Sequence, residues 1–172
     1  MRGVVDRLHV APPEPRGDGA ILDALTALLL DMRELKNCTL RVIRKGETLT
    51  LQEAGGEDAS GDLLVSVKDG VATLDGWVLS LSHKRMAGVL AWWTPGCRDV
   101  VNALEVQPPE QDNDDEVSDA LSLVLEMDPL IPDPGQIRVH TRNYVVTLDG
   151  LVATQAEKDR AEQDAWCLFA VD

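Results

Sequence analysis

The feature that most constrains this fold is a duplication inside the chain. Residues 2–14, RGVVDRLHVAPPE, return 96 positions later as RDVVNALEVQPPE at residues 98–110. The correspondence runs on past the prolines: Ile21, Asp23, Ala24, Leu25, Leu28 and Leu29 fall on Val117, Asp119, Ala120, Leu121, Val124 and Leu125. An ungapped match over about 30 residues marks an internal repeat, in which one supersecondary unit is built twice.

The stretch from Val65 to Val106 holds the one complete copy of most of that unit. An alternating strand meets a Lys68-Asp69-Gly70 turn, and a second strand ends at Asp75-Gly76-Trp77-Val78. A helix carrying Ala87 and Ala91 follows, then a closing strand from Val100 to Val106. In the second copy Thr73-Leu74-Asp75-Gly76 lies on Thr147-Leu148-Asp149-Gly150 at an offset of 74, with Lys84 on Lys158 and Trp92 on Trp166. The fall from 96 to 74 leaves 22 extra residues in the first copy. They belong to TLRVIRKGETLTLQ, a hairpin pivoting on Lys45-Gly46, inserted within residues 38–60. Gly76 and Gly150 are expected to permit a bulge or a close helix approach. Ile21 to Leu29 and Val117 to Leu125 each present one apolar helical stripe, and Asp18 and Asp114 are placed to cap those helices.

Two units of about 60 to 90 residues follow, 18–106 with the inserted hairpin and 112–172 without its own last strand. The second copy reaches Asp172, which aligns with Arg98, before any closing strand begins. A spare closing strand stands instead at residues 2–10, with Val4, Val5, Leu8 and Val10 as its apolar positions. An exposed strand edge beside an apolar face is costly in water, so this spare strand is expected to complete the second unit. It can do so within one chain, or between chains by β-strand addition, giving a homo-oligomer or a filament. A third arrangement makes the chain a piece of a longer repeat array.

The order Thr-Leu-Asp-Gly-x-Val, then Lys and two alanines, then Val100-x-Asn102-x-Leu104-x-Val106, resembles the BON domain. The resemblance implies an α+β fold of two small α/β sandwiches, each with helices on one face of a mainly three-stranded sheet. It also implies a place in the cell envelope, with membrane attachment, phospholipid contact or protein assembly as the role.

Charge limits the partners. Sixteen basic against 30 acidic residues give a net charge of −14, so phosphate-rich nucleic acid is excluded and membrane contact is not favoured by charge. The first residues lack the basic and apolar pattern of a secretory signal, and no apolar run approaches a membrane span. Cys38, Cys97 and Cys167 have no CxxC spacing and are expected to be buried free thiols. The run Asp112 to Glu116 lacks the glycine and the distant acid of a calcium loop, and His9, His83 and His140 have no ligand spacing. With no nucleophile elbow or phosphate loop either, the expectation is a non-enzymatic protein without cofactors. Its partner is then another copy of itself or another envelope protein, the alternative being a membrane-associated phospholipid-binding module.

Comparing the copies also marks a surface. The first copy carries Met86, Val89, Leu90 and Trp93 where the second has Arg160, Gln163, Asp164 and Cys167. Likewise Leu22 and Leu30 stand for Ser118 and Glu126. Such a patch is an interface. Three occupants are open: the inserted hairpin or second unit of the same chain, a partner protein, or lipid.

Overall fold

The computed structural model describes residues 16–55, 59–110 and 113–169. The first unit begins with α1 (Asp18–Asp31), which buries Ile21, Leu22, Leu25 and Leu29. The inserted hairpin, β1 (Cys38–Arg44) and β2 (Glu47–Gln52), precedes the hairpin β3 (Gly61–Lys68) and β4 (Val71–Val78). Next come α2 (Leu81–Trp93) and the closing strand, in two pieces, β5 (Asp99–Asn102) and β6 (Glu105–Val106). The second unit repeats the plan with α3 (Asp114–Met127), a hairpin of β7 (Ile137–Arg142) and β8 (Val145–Gly150), and α4 (Gln155–Phe169).

The first sheet runs β2-β1-β3-β4-β5, with β6 also on β4. The insertion therefore widens the sheet: β1 pairs parallel with β3, Leu40 opposite Leu63 and Val42 opposite Val65. The expected three-stranded core is β3, β4 and the closing strand. The second sheet contains only β7 and β8 among the described residues. The proposed closing residues Val4, Val5, Leu8 and Val10 lie outside the described residues.

All three hairpins turn on two consecutive left-handed residues. Lys45 and Gly46 have φ 53 and 82, Asp69 and Gly70 have 53 and 80, and Asn143 and Tyr144 have 49 and 59. This is the turn geometry whose twist matches that of paired strands. Asp18 and Asp114, expected as helix caps, serve these turns instead. The Asp18 carboxylate accepts from the Asp69 and Gly70 N–H groups, both at 2.9 Å. Asp114 accepts from Asn143 at 2.8 Å and Tyr144 at 2.9 Å. Each aspartate has helical backbone and points out of its first turn, which ties the helix to the hairpin. At α3 the cap is Asn113, which accepts from the N–H groups of Asp115 and Glu116.

The two glycines also act differently from expectation. A Cβ on Gly76 would stand 2.0 Å from the Asp62 carbonyl oxygen, and one on Gly150 would stand 1.9 Å from that of Gln136. The close approach is thus of the neighbouring strand's backbone, not of a helix, and Gly76 also has φ +110. Gly76→Ala is expected to destabilise the protein by about 2 to 4 kcal/mol in chemical denaturation, because the clash is with main chain that cannot move aside.

Candidate functional site

The first unit shows what a finished unit looks like. Its closing strand adds to β4 in parallel, Ala72 opposite Val100 and Leu74 opposite Asn102, then Val78 opposite Val106. Three further backbone bonds hold it: Arg98 N–H to Gly70 C=O, Ala103 N–H to Leu74 C=O and Gln107 N–H to Val78 C=O, at 2.8, 2.8 and 2.9 Å. Between the two pieces, Asn102 Oδ1 accepts from the Leu104 N–H at 3.3 Å while its Nδ2 donates to the Lys84 carbonyl at 2.8 Å. Leu104, only 2% exposed, and Val100 then fill the space between α2 and the sheet. Beyond the strand, the Glu110 carboxylate accepts from the Leu81 N–H at 2.9 Å, at the start of α2.

The second unit has the same walls around an open groove of about 800 Å³. Val146, Leu148 and Gly150 line one side, and Ala161, Ala165 and Trp166 the other. α2 packs directly on β4, whereas α4 stands away from β8. Matched residues show the difference. Ala72, Leu74, Val78 and Ala91 are fully buried, while their counterparts Val146, Leu148, Val152 and Ala165 are only half-buried. Trp92 is half-buried, but Trp166 is 67% exposed and Val145 66% exposed at the groove. Large apolar side chains so exposed around a concave surface mark a candidate binding site.

The residues singled out by comparing the copies lie elsewhere. Met86, Val89, Leu90 and Leu22 are buried, Met86 to 2%, and Trp93 and Leu30 are half-buried against the core. They do not form an open patch for a partner or a lipid. The helices α3 and α4 of the second unit pack on α2, and one core runs through both units. The inserted hairpin takes no part in that cover, since it joins the sheet edge.

That junction holds a buried polar cluster. Asp164, the counterpart of Leu90, is 0% exposed and accepts from Trp93 Nε1 at 3.1 Å. The Arg160 guanidinium lies 5.3 Å from the centre of the Trp93 ring, a cation–π distance, and binds both Asp128 and Asp164. One guanidinium thus serves two buried carboxylates. Burial foremost, then the neighbouring Asp128, raises the Asp164 carboxyl to about 7. At Asp128 burial also acts upward, but the Leu130 N–H and the Arg160 contact outweigh it and hold the group below its usual value. Burial likewise pushes the Cys38 thiol up to about 11. All three cysteines are free, with Cys38 buried and Cys97 and Cys167 partly so.

Two α+β units packed through their helices, one with a finished sheet and one with a groove that no described residue fills, make this a tandem repeat protein. Residues 50–108 and 113–171 each match the BON domain model, together more than half of the chain, and the chain belongs to that family. The first match starts inside β2, so α1 and β1 lie outside it. No curated protein matches the chain. BON domains are envelope-associated modules and generally non-catalytic. Among the described residues, no helix is long and apolar enough to cross a membrane.

A carboxyl whose folded pKa lies above its unfolded value stabilises the fold most at low pH and loses that contribution as pH rises through the folded pKa. The Asp164 contribution is therefore expected to fall by on the order of 1 to 2 kcal/mol between about pH 5 and about pH 7, read by denaturation. The depressed Asp128 works the other way, its contribution being lost only below about pH 4. Asp164→Asn, which keeps an acceptor for Trp93, should flatten the fall between pH 5 and pH 7.

Proposed function

We propose that this is a non-enzymatic, two-unit BON protein of the cell envelope that acts through protein contacts, binding a β-strand in the groove of its second unit. The strand is its own segment Gly3–Val10, taken from the same chain or from a second copy; in the second case the protein self-associates, and repeated addition builds a fibre. The observation that carries this reading is the pair of matched sites. The groove has the walls that β5 and β6 occupy in the first unit. The segment's Val4, Val5, Leu8 and Val10 fall on Val100, Val101, Leu104 and Val106 of that strand. Filling the groove buries apolar surface on both walls and gives the outer edge of β8 the hydrogen bonds that β4 already has.

A second reading has one observation of its own. Leu151 is 81% exposed and Trp166 67% exposed, and apolar side chains so exposed can enter a membrane interface. A chain of net charge −14 is repelled by anionic phospholipid, which weighs against it.

Size measurement on the whole chain and on a form lacking residues 1–11 separates these. Supply within one chain predicts a monomer that melts at lower temperature once shortened. Supply between chains predicts an oligomer that falls to monomers. Equal size and equal stability in both forms refutes strand completion, and tight, salt-weakened binding to anionic vesicles then supports the phospholipid reading.

A further inference from the structure

We propose that Gly3–Val10 enters the groove in a single register, parallel to β8, in which the Asp6 carboxylate pairs with the Lys158 ammonium and the Glu14 carboxylate caps the start of α4. The inference rests on the reading that this segment fills the groove, and it adds which residues make the groove selective for it.

The template is the first unit. Its pairing carries over as Val146 opposite Val4, Leu148 opposite Asp6 and Val152 opposite Val10. Val4 and Leu8 then point between α4 and the sheet, as the buried Val100 and Leu104 do beside α2. At Asn102 the template has a side chain with two tasks, accepting from the Leu104 N–H and donating to the Lys84 carbonyl. Asp6 stands at that place in the segment. An aspartate keeps the acceptor task, toward the Leu8 N–H, and cannot donate to a carbonyl. The counterpart of Lys84 is Lys158, whose exposed side chain lines the groove and offers the carboxylate an ammonium donor in place of the main-chain contact that Asn102 makes in the first unit. The pairing is thus of side chain with side chain where the first unit has side chain with main chain.

The linker repeats too. Glu14 is the counterpart of Glu110 in the shared Pro-Pro-Glu, and Gln155 is the counterpart of Leu81. The Glu110 contact with the Leu81 N–H thus maps to Glu14 on the Gln155 N–H, at the positive end of α4. Thr154 and Glu157 already cap each other there, at the Glu157 and Ala153 N–H groups, so Glu14 adds an acceptor without displacing one. An exposed ion pair adds little affinity, but it fixes register. A slip of one residue turns Val4 and Leu8 to solvent and carries Asp6 off Lys158.

The test uses the full chain and charge reversal: Asp6→Lys, Lys158→Asp and the double variant, with unfolding midpoint and Trp166 emission as readouts. The Trp166 signal is isolated as the difference from the same proteins carrying Trp166→Phe. Each single reversal is expected to lower the midpoint and shift Trp166 emission to the red, and the double variant to recover at least half of both. High salt should shrink the single-variant effects. Strictly additive losses in the double variant overturn the pairing. Leu8→Asp then tells which reading failed. If it exposes Trp166 while the reversals do not, the strand fills the groove in another register. If Leu8→Asp also leaves emission, midpoint and molecular size unchanged, the strand reading itself is overturned. Glu14→Ala should lower the midpoint less than Leu8→Asp does, and no change at all removes Glu14 from the proposal.

Discussion

A β-hairpin with a helix on one face is not finished until its second strand gains a neighbour. The backbone groups along that strand's outer edge need partners, and the side chains between strand and helix need a third wall. In the first unit, β5 and β6 meet both needs at once, pairing with β4 and sending Val100 and Leu104 beneath α2. Gly76 belongs to the same constraint, since it lets the Asp62 carbonyl come within 2.0 Å of where a Cβ would stand. In the second unit the hairpin, its glycine and its helix are all present, and the space for the neighbour is a groove. The same physics that stabilises one unit leaves an open apolar groove in the other.

The two units are joined by the residues in which they differ. Met86, Val89 and Leu90 of α2 supply the apolar contact, and α3 and α4 cover them. Asp164 is the exception, a carboxylate where the first unit has Leu90, buried and matched to Trp93 and Arg160. Burial of an acid costs more than burial of leucine, and the cost is reduced by holding Asp164 partly protonated beside Asp128. Two buried acids sharing one guanidinium give the junction directional contacts that an apolar seam lacks. A hydrophobic contact alone tolerates sliding, whereas the Trp93 indole and the Arg160 guanidinium accept one arrangement.

Much of the chain is legible from its own repetition. The offsets of 96 and 74 give the order of elements and the place of the insertion, because the two copies obey the same periodicities. The hairpin pivots at Lys45-Gly46 and Lys68-Asp69-Gly70 follow from turn chemistry, and both lie at strand junctions. Less legible were the partners of Asp18 and Asp114. A first-turn aspartate reads as a cap, but its carboxylate reaches turn amides some 30 to 50 residues away, as at Asp69 and Tyr144, a distance no local pattern reports. Trp166, Tyr144 and Val145 were missed as site residues for a related reason. Trp166 and Val145 have apolar counterparts in Trp92 and Val71, and only the space beside β8 turns them into a groove wall, while Tyr144 stands where the first unit has Gly70.

What the amino-acid sequence determined by itself is therefore the unit and its count: period, turn and repeat are local properties, and they specify two BON-like units. What only the tertiary structure decided is which apolar surfaces are free. Leu90 and Trp166 look alike in a linear reading, yet one lies under a neighbouring helix and the other faces solvent. Exposure depends on what packs from a distance in sequence, and the hydrophobic effect, being non-directional, does not name the partner that covers an apolar face.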